Sequence, residues 1–325
     1  MDGTNNQTAA YMYNEAGQLK KVYVSDGARG YMTYYDYNAA GMIEHIRQEE
    51  TDGTILQNDS YTYDENGNQK LVTHMDGSKD SYDYDLSDQL TYEKHTNALG
   101  TVLSEVTYHY DVLGNRDYIV KGATTVNYAH DKANQMTVID GTNLSYDANG
   151  NLTFDGSKTF GYNAEDQLAS VKNSAGTTIA LYEYNYGGQR TKKVSGGQTE
   201  RYYYNAGDLA YITDDTNKVQ YSFTRDAYGR LLTLTDYTGS APVNYFYVLN
   251  AHGDVIGLRD KNGVQVVTYS YDAFGNPVSS SGTATTGDGK LLKTENPFRY
   301  ASYFYDDETG MYYLNSRYYK PDIGR

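Results

Sequence analysis

The side chains able to do chemistry in this 325-residue sequence are 6 histidines, 42 acidic residues and 39 tyrosines; cysteine is absent. The histidines (His45, His74, His95, His109, His130, His252) are scattered, with no HxH or HExxH pair to bring two imidazoles onto one metal. Without cysteine, disulfides and thiolate metal sites are excluded. No Gly-x-Ser-x-Gly elbow occurs, so no nucleophile can be tied to a base by spacing. Gly287-Asp-Gly-Lys290 looks superficially like a phosphate loop but lacks the glycine spacing and the following Ser or Thr. The carboxylates are too abundant to single out a catalytic pair, and most sit where turn geometry already explains them. The sequence therefore assigns no catalytic, cofactor-binding or metal-binding residue, and the expectation is that the chain is not an enzyme.

The tyrosines carry the other chemistry. Exposed aromatic faces stack on sugars, and neighbouring Asp, Asn and Gln can accept hydroxyl hydrogen bonds. Tyr202-Tyr203-Tyr204 is the candidate ligand-facing cluster, because adjacent strand residues point to opposite faces and one ring must leave the packed side.

The net charge of -15 argues against nucleic-acid binding, which needs clustered Lys and Arg. Its plainer meaning is a solvated acidic surface. No run approaches the ~18 apolar residues of a membrane span, and the start, Met1-Asp2-Gly3-Thr4-Asn5-Asn6, has no signal-like character. Leu, Ile, Val and Phe make up only about a sixth of the chain, a level associated with disorder when charge is high. Tyrosine reverses that inference, since its ring fills a core while its hydroxyl stays at a wet edge or finds a partner.

What positions the tyrosines is a repeat, Tyr-x-Tyr-Asp/Asn-x-x-Gly-x-apolar. Its second aromatic and glycine fall at Tyr13 and Gly17, Tyr37 and Gly41, Tyr63 and Gly67, Tyr110 and Gly114, Tyr146 and Gly150, Tyr184 and Gly188, and Tyr271 and Gly275. Asp64, Asp111, Asp147 and Asp272 open the turns, and Asp88, Asn134 and Asp166 stand where glycine is missing. His130, Arg225 and Tyr247 mark weaker copies. Tyr-x-Tyr places two rings on one strand face. The Asp accepts from backbone N–H groups ahead, and the glycine supplies a positive φ. A second set of turns, including Asp26-Gly27, Asp52-Gly53, Asp76-Gly77, Asp140-Gly141 and Asp155-Gly156, alternates with the first. A turn every 8–12 residues or so predicts about two dozen short strands and leaves little room for helix. The fold class expected is all-β: an irregular array of antiparallel hairpins forming a coiled or spiral sheet, part or all of a β shell.

These Tyr-Asp-x-x-Gly arrays resemble the YD or RHS repeats of bacterial polymorphic toxins, wall-associated proteins, insecticidal toxin complexes and teneurins. The stretch from Tyr247 to Pro277 resembles the last repeats before the RHS-associated core. Asn296-Pro-Phe-Arg-Tyr300, Asp307–Tyr319 and Pro321–Arg325 resemble the opening of that core. The expected organisation is a repeat array at 1–278, a Ser/Thr/Gly-rich loop at 279–290 and the start of the core at 291–325, ending before the family's self-cleavage segment. Lys320 stands where the family usually has Asp before Pro, and His252 lies in a family-like turn with a structural role expected.

The resemblance implies a non-enzymatic shell segment of a secreted or cell-surface bacterial protein, enclosing or presenting a C-terminal toxin or effector domain that is the expected partner. From motif content, charge and hydropathy, no cofactor, no nucleic-acid partner and no membrane insertion are expected. The alternative is a surface adhesive or glycan-binding protein that uses exposed tyrosine ladders.

Overall fold

The computed structural model describes residues 7–27, 30–315 and 317–324. Met1–Asn6, Ser316 and Arg325, which belong to motifs named above, lie outside the described residues. The chain divides into two compact units, Met1–Asn143 and Leu144–Arg325.

The first unit is a 13-stranded sheet running from Thr8–Tyr13 to Thr142–Asn143, each strand antiparallel to the next in chain order. The second holds a 14-stranded sheet of the same kind, from Ser145–Tyr146 to Pro277–Ser281. It also holds a three-stranded sheet of Phe304–Asp306, Met311–Tyr313 and Tyr318–Tyr319. Neither large sheet closes into a barrel, because the first and last strands of each are not paired. The fold is all-β, as the repeat implies, with 30 strands among the described residues. Two short helical pieces were not anticipated, Leu292–Glu295 and the 3-10 turn Tyr300–Ser302, both too short to produce a 3.6 period. Pro277 opens an edge strand, where its missing N–H costs no ladder bond.

Each Tyr-Asp turn is built the same way. In the Asp64 turn, Gly67 N–H donates to Asp64 O (3.2 Å) and Asp64 N–H to Asn68 O (2.9 Å). The Asp64 Oδ1 accepts from Asn66 N (3.0 Å) and Asn68 N (2.8 Å). The Asp111, Asp147 and Asp272 turns repeat this pattern. The Asp111 carboxyl is held below the usual range by the backbone N–H and then the side-chain amide of Asn115, and that of Asp147 by the side-chain amide and then the backbone N–H of Asn151. Gly17, Gly41, Gly67, Gly114, Gly150, Gly188 and Gly275 all have φ between 76 and 93°. This is a type I turn closed by a glycine bulge. The bulge shifts the strand register at the tyrosine, so that Tyr37 pairs with Ile43 and Tyr63 with Gln69.

The two tyrosines of a repeat have different jobs. The first is buried to differing degrees: Tyr61, Tyr108, Tyr182 and Tyr269 are at most 5% exposed, whereas Tyr11, Tyr35 and Tyr82 are partly buried. The second donates its phenol hydroxyl to the carbonyl just past the bulge of the preceding repeat. The pairs are Tyr37 with Leu19 (2.7 Å), Tyr63 with Ile43 (2.6 Å), Tyr84 with Gln69 (3.1 Å) and Tyr110 with Leu90 (2.7 Å). In the second unit they are Tyr162 with Leu152 (3.0 Å), Tyr184 with Leu168 (2.7 Å), Tyr204 with Arg190 (2.8 Å) and Tyr271 with Val255 (2.8 Å). Burial pushes the Tyr84 and Tyr162 phenols up to about 12. They stay neutral donors, each bond contributing about 0.5–1.5 kcal/mol.

Residues that replace glycine add a second cross-link. Asp88, Asn134 and Asp166 have φ of 59–60°. The Asp88 carboxylate accepts from Asn66 and Asn68, Asp166 from Asn149 and Asn151, and Asn134 from Asn115. The left-handed residue thereby ties its own turn to the one before it.

Candidate functional site

One face of the 14-stranded sheet is apolar and covered by residues 291–324. Leu292, Phe298, Phe304 and Tyr313 pack in one cluster with Tyr202, Leu209, Ile212, Tyr221, Phe223, Leu234, Leu258 and Val267 from the strands. Tyr312, also fully buried, comes from the same covering segment. Burial on this scale, at about 1.5–3 kcal/mol per large side chain, makes the segment part of the fold and not an appendage.

An ionic seat lies within that cover. Arg190, 1% exposed, projects from the start of Arg190–Ser195, and its Nη1 donates to Oδ2 of the fully buried Asp306 (2.5 Å). The guanidinium centre lies 4.5–5.2 Å from the ring centres of Tyr182, Tyr202, Phe304 and Tyr313, an aromatic box for a desolvated cation. Lys193 Nζ lies 3.3 Å from Glu200, 3.4 Å from Asp306 and 3.4 Å from Glu308. Two cations thus face three carboxylates, two of them from the covering segment. Burial works against the Lys193 charge, yet Glu200, Asp306 and Glu308 hold its ammonium above the ordinary value. Burial, aided by Asp306, pushes the Glu308 carboxyl up. Tyr313 accepts from the Arg190 backbone N–H (2.7 Å), and the Tyr184 and Tyr318 hydroxyls share a hydrogen bond (2.9 Å).

The turn of Tyr271, Asp272 and Gly275 is the second anchor. Tyr300, Tyr319 and Tyr312 donate to three successive carbonyls, Ala273 (3.1 Å), Phe274 (2.7 Å) and Gly275 (2.8 Å). Gly275 is required twice over. Its φ is 86°, and a Cβ there would sit 2.5 Å from the Tyr300 ring. Asn296, fully buried, donates to Phe298 O (3.0 Å) and accepts from Tyr247 OH (2.8 Å). The Arg299 guanidinium lies over Tyr269, 4.2 Å from its ring centre, and donates to Lys293 O (2.5 Å) and Asn296 O. Lys320 finds the nearly buried Asp155 (3.3 Å) as well as Asp322 (2.9 Å).

The other residues singled out by sequence separate cleanly. Tyr202 is not ligand-facing: it is 4% exposed, packs edge-on against Phe304 and donates to Glu200 (2.5 Å). The covering segment takes the face that would otherwise be open. Tyr204 is a half-buried staple on the same face. Tyr203 points the other way, stacked at 4.5 Å and 9° on Tyr211. His252 Nδ1 donates to Asp254 (2.8 Å), whose carboxylate also accepts from Ala301 N (2.7 Å). The nearby Ser302 hydroxyl is committed to Gly253 O (2.7 Å), so it is not presented to that imidazole as a nucleophile. Among the described residues, no group of three or more His, Cys, Asp or Glu could hold a metal, and no helix is long and apolar enough to cross a membrane.

The family model for the teneurin YD-shell matches residues 76–325. The chain is 35% identical over 283 residues to a protein named tRNA3(Ser)-specific nuclease WapA from Bacillus spizizenii, covering 86% of this chain and 10% of that protein. The figures are the same for the protein named tRNA nuclease WapA from Bacillus subtilis strain 168. The chain therefore spans about a tenth of the length of the curated relatives it matches. A crystal structure of TcdB2-TccC3 superposes with a TM-score of 0.53 at 17% identity, covering 98% of this chain and 20% of that one. A structure of the Photorhabdus luminescens Tc holotoxin pore gives 0.52 at 17%, with the same coverage. At that identity the likeness is one of fold.

Proposed function

The chain belongs to the teneurin YD-shell family, and from that premise we propose that it is a non-enzymatic wall segment of a secreted or cell-surface bacterial protein. Its partner is a toxin or effector domain of the same polypeptide, which the wall encloses or presents. The observation that carries this reading is the covering segment: residues 291–324 are locked to the sheet by Arg190–Asp306 and by three phenols on one turn. Covering one face of the sheet in this way suits a wall. We propose the division given by the sequence, a repeat array to 278, a connecting loop at 279–290 and a core segment from 291. The loop is held in place by Asp236, which accepts from Gly287 N (2.8 Å).

The nuclease named in the relatives is, on this reading, carried by other parts of those longer proteins. The chain's own net charge of -15 is a poor match for tRNA. Incubating the purified chain with tRNA is the test. Undegraded tRNA is expected; cleavage that a single point variant abolishes would overturn the non-enzymatic reading.

The Tyr203–Tyr211 stack favours a second reading. It is a flat aromatic surface facing away from the covered side, with the Tyr203 hydroxyl on Asn217 (3.2 Å). A glycan-binding role predicts that glycan-array binding is lost in Tyr203→Ala, whereas a wall predicts no binding to lose.

A further inference from the structure

The repeat rule breaks at Arg225, which occupies the position of the stapling tyrosine. By that rule its partner would be the carbonyl of Leu209, the residue paired with Tyr204 at the preceding register shift. The phenol is missing, and a cavity of about 200 Å³ lies there, bounded by Asp208, Leu209 and Arg225 on the sheet and by Phe298, Ser302 and Asn315 on the covering segment. Its wall is unusual backbone. Ala301, Ser302 and Asn315 have φ of 49, 57 and 63°, and Ala206 beside the cavity has 50°. Left-handed alanine costs of order 1–3 kcal/mol and persists only where the surroundings impose it. Here Asp254 pins Ala301 N (2.7 Å) and Gly253 O holds Ser302 Oγ (2.7 Å), so the wall is rigid.

Arg225 is underused in this setting. Its side chain is 13% exposed and stacks over Phe298 at 4.8 Å. Nη1 donates to Gly229 O (2.8 Å), but Nε is buried with no hydrogen-bond partner. The nearest carboxylate, Asp208, stands 3.7 Å from Nε, too far for a hydrogen bond, and is half exposed. A desolvated guanidinium with an idle donor is a receptor for a planar anion, which it can bind through two parallel N–H groups. Aromatic walls and one cation at this volume suit a group of amino-acid size.

We propose that this cavity binds a small carboxylate of aspartate or glutamate size, either free or borne on a peptide, with Arg225 as its anchor and Asp208 as the side chain it displaces.

The test uses the whole chain and N-acetyl-glutamate amide as probe, with the isosteric N-acetyl-glutamine amide as the neutral control, read by ligand-observed NMR. Binding of the acid and not the amide is expected. Asp208→Asn, an exposed change that removes the competing carboxylate, should tighten binding several-fold. Arg225→Gln should abolish it, with a retained cooperative melting transition confirming that the variant folds. A short peptide carrying one internal glutamate distinguishes the sources: tighter binding than the free probe assigns the site to a chain segment, and equal binding assigns it to a small molecule. No binding of either probe to the folded chain, or equal binding of acid and amide, overturns the proposal.

Discussion

The phenol of Tyr110 donates to the carbonyl of Leu90 at 2.7 Å, and this one bond explains why the repeat demands tyrosine at its second aromatic position. The glycine bulge skews the ladder at each turn, and the next repeat's hydroxyl reaches the carbonyl beside that skew. Phenylalanine would fill the same space and leave the acceptor without that donor. We therefore expect Tyr110→Phe to destabilise the first unit by about 1 kcal/mol in chemical denaturation. Tyr186→Phe, on a fully exposed ring, should change nothing. Equal stability of both variants would remove the staple from the account.

Gly275→Ala and Gly67→Ala separate two reasons for glycine. Both residues have positive φ, which costs an L-residue about 1–2 kcal/mol. At Gly67 the nearest atom to a new Cβ is the Met42 sulfur at 3.4 Å, whereas at Gly275 it is the Tyr300 ring at 2.5 Å. Gly275→Ala should cost clearly more in thermal melting, and should loosen the covering segment as well as the turn.

Asp306→Asn leaves Arg190 buried beside a neutral group, and breaking a buried pair from one side typically costs about 3–5 kcal/mol. Removing both charges with Arg190→Met and Asp306→Asn should recover much of that loss. A double variant as unstable as the single would show that packing, and not the ion pair, sets the energy of the seat.

Lys320→Asp installs the residue usual in the resembled family. Here it would set a third carboxylate beside Asp155 and Asp322. Asp155 is held below the usual carboxylate range, against burial, by the backbone N–H groups of Lys158 and Ser157 and by Lys320. The charge reversal should lower stability at neutral pH, and acid that protonates these carboxyls should reduce the difference.

In the first unit His74 lies 2.8 Å from Asp80 and 3.8 Å from Asp59, with Asp76 nearby and His95 on the other oxygen of Asp80. Burial pulls the imidazole down, but the hydrogen bond and charge of Asp80, with Asp59 and Asp76, carry it above its ordinary value. A raised folded value means the protonated form is the one the fold favours. That contribution is fully present below about pH 6.5 and is lost as pH rises through the folded value. His74→Asn should flatten the fall in first-unit stability above pH 6.5; an unchanged profile would exclude His74 as its cause.

The turns were legible because their chemistry is local. Asp64 bonds amides two and four residues ahead, and Gly67 supplies the φ that closes the loop, all within one short window. The replacement of glycine by Asp88 and Asp166 was legible for the same reason, but not their grip on the preceding turn, since nothing in a turn's own window names its neighbour. The seat was invisible: Arg190 and Asp306 lie 116 positions apart, and each reads as an ordinary surface charge. Tyr202 was misplaced on the same ground. The alternation of faces is correct for Tyr202, Tyr203 and Tyr204, but which face is covered depends on a segment a hundred residues later.

Hydrogen exchange on the intact chain tests the central claim most directly, that residues 291–324 are built into the wall. The amides of Tyr305, which donates to Pro297 O, and of the Met311–Tyr313 strand should exchange as slowly as those of the Leu231–Asp236 strand within the sheet. Asp306→Asn should speed the first set before the second. Fast exchange of the covering segment in the unaltered chain, with the sheet still protected, would contradict the account.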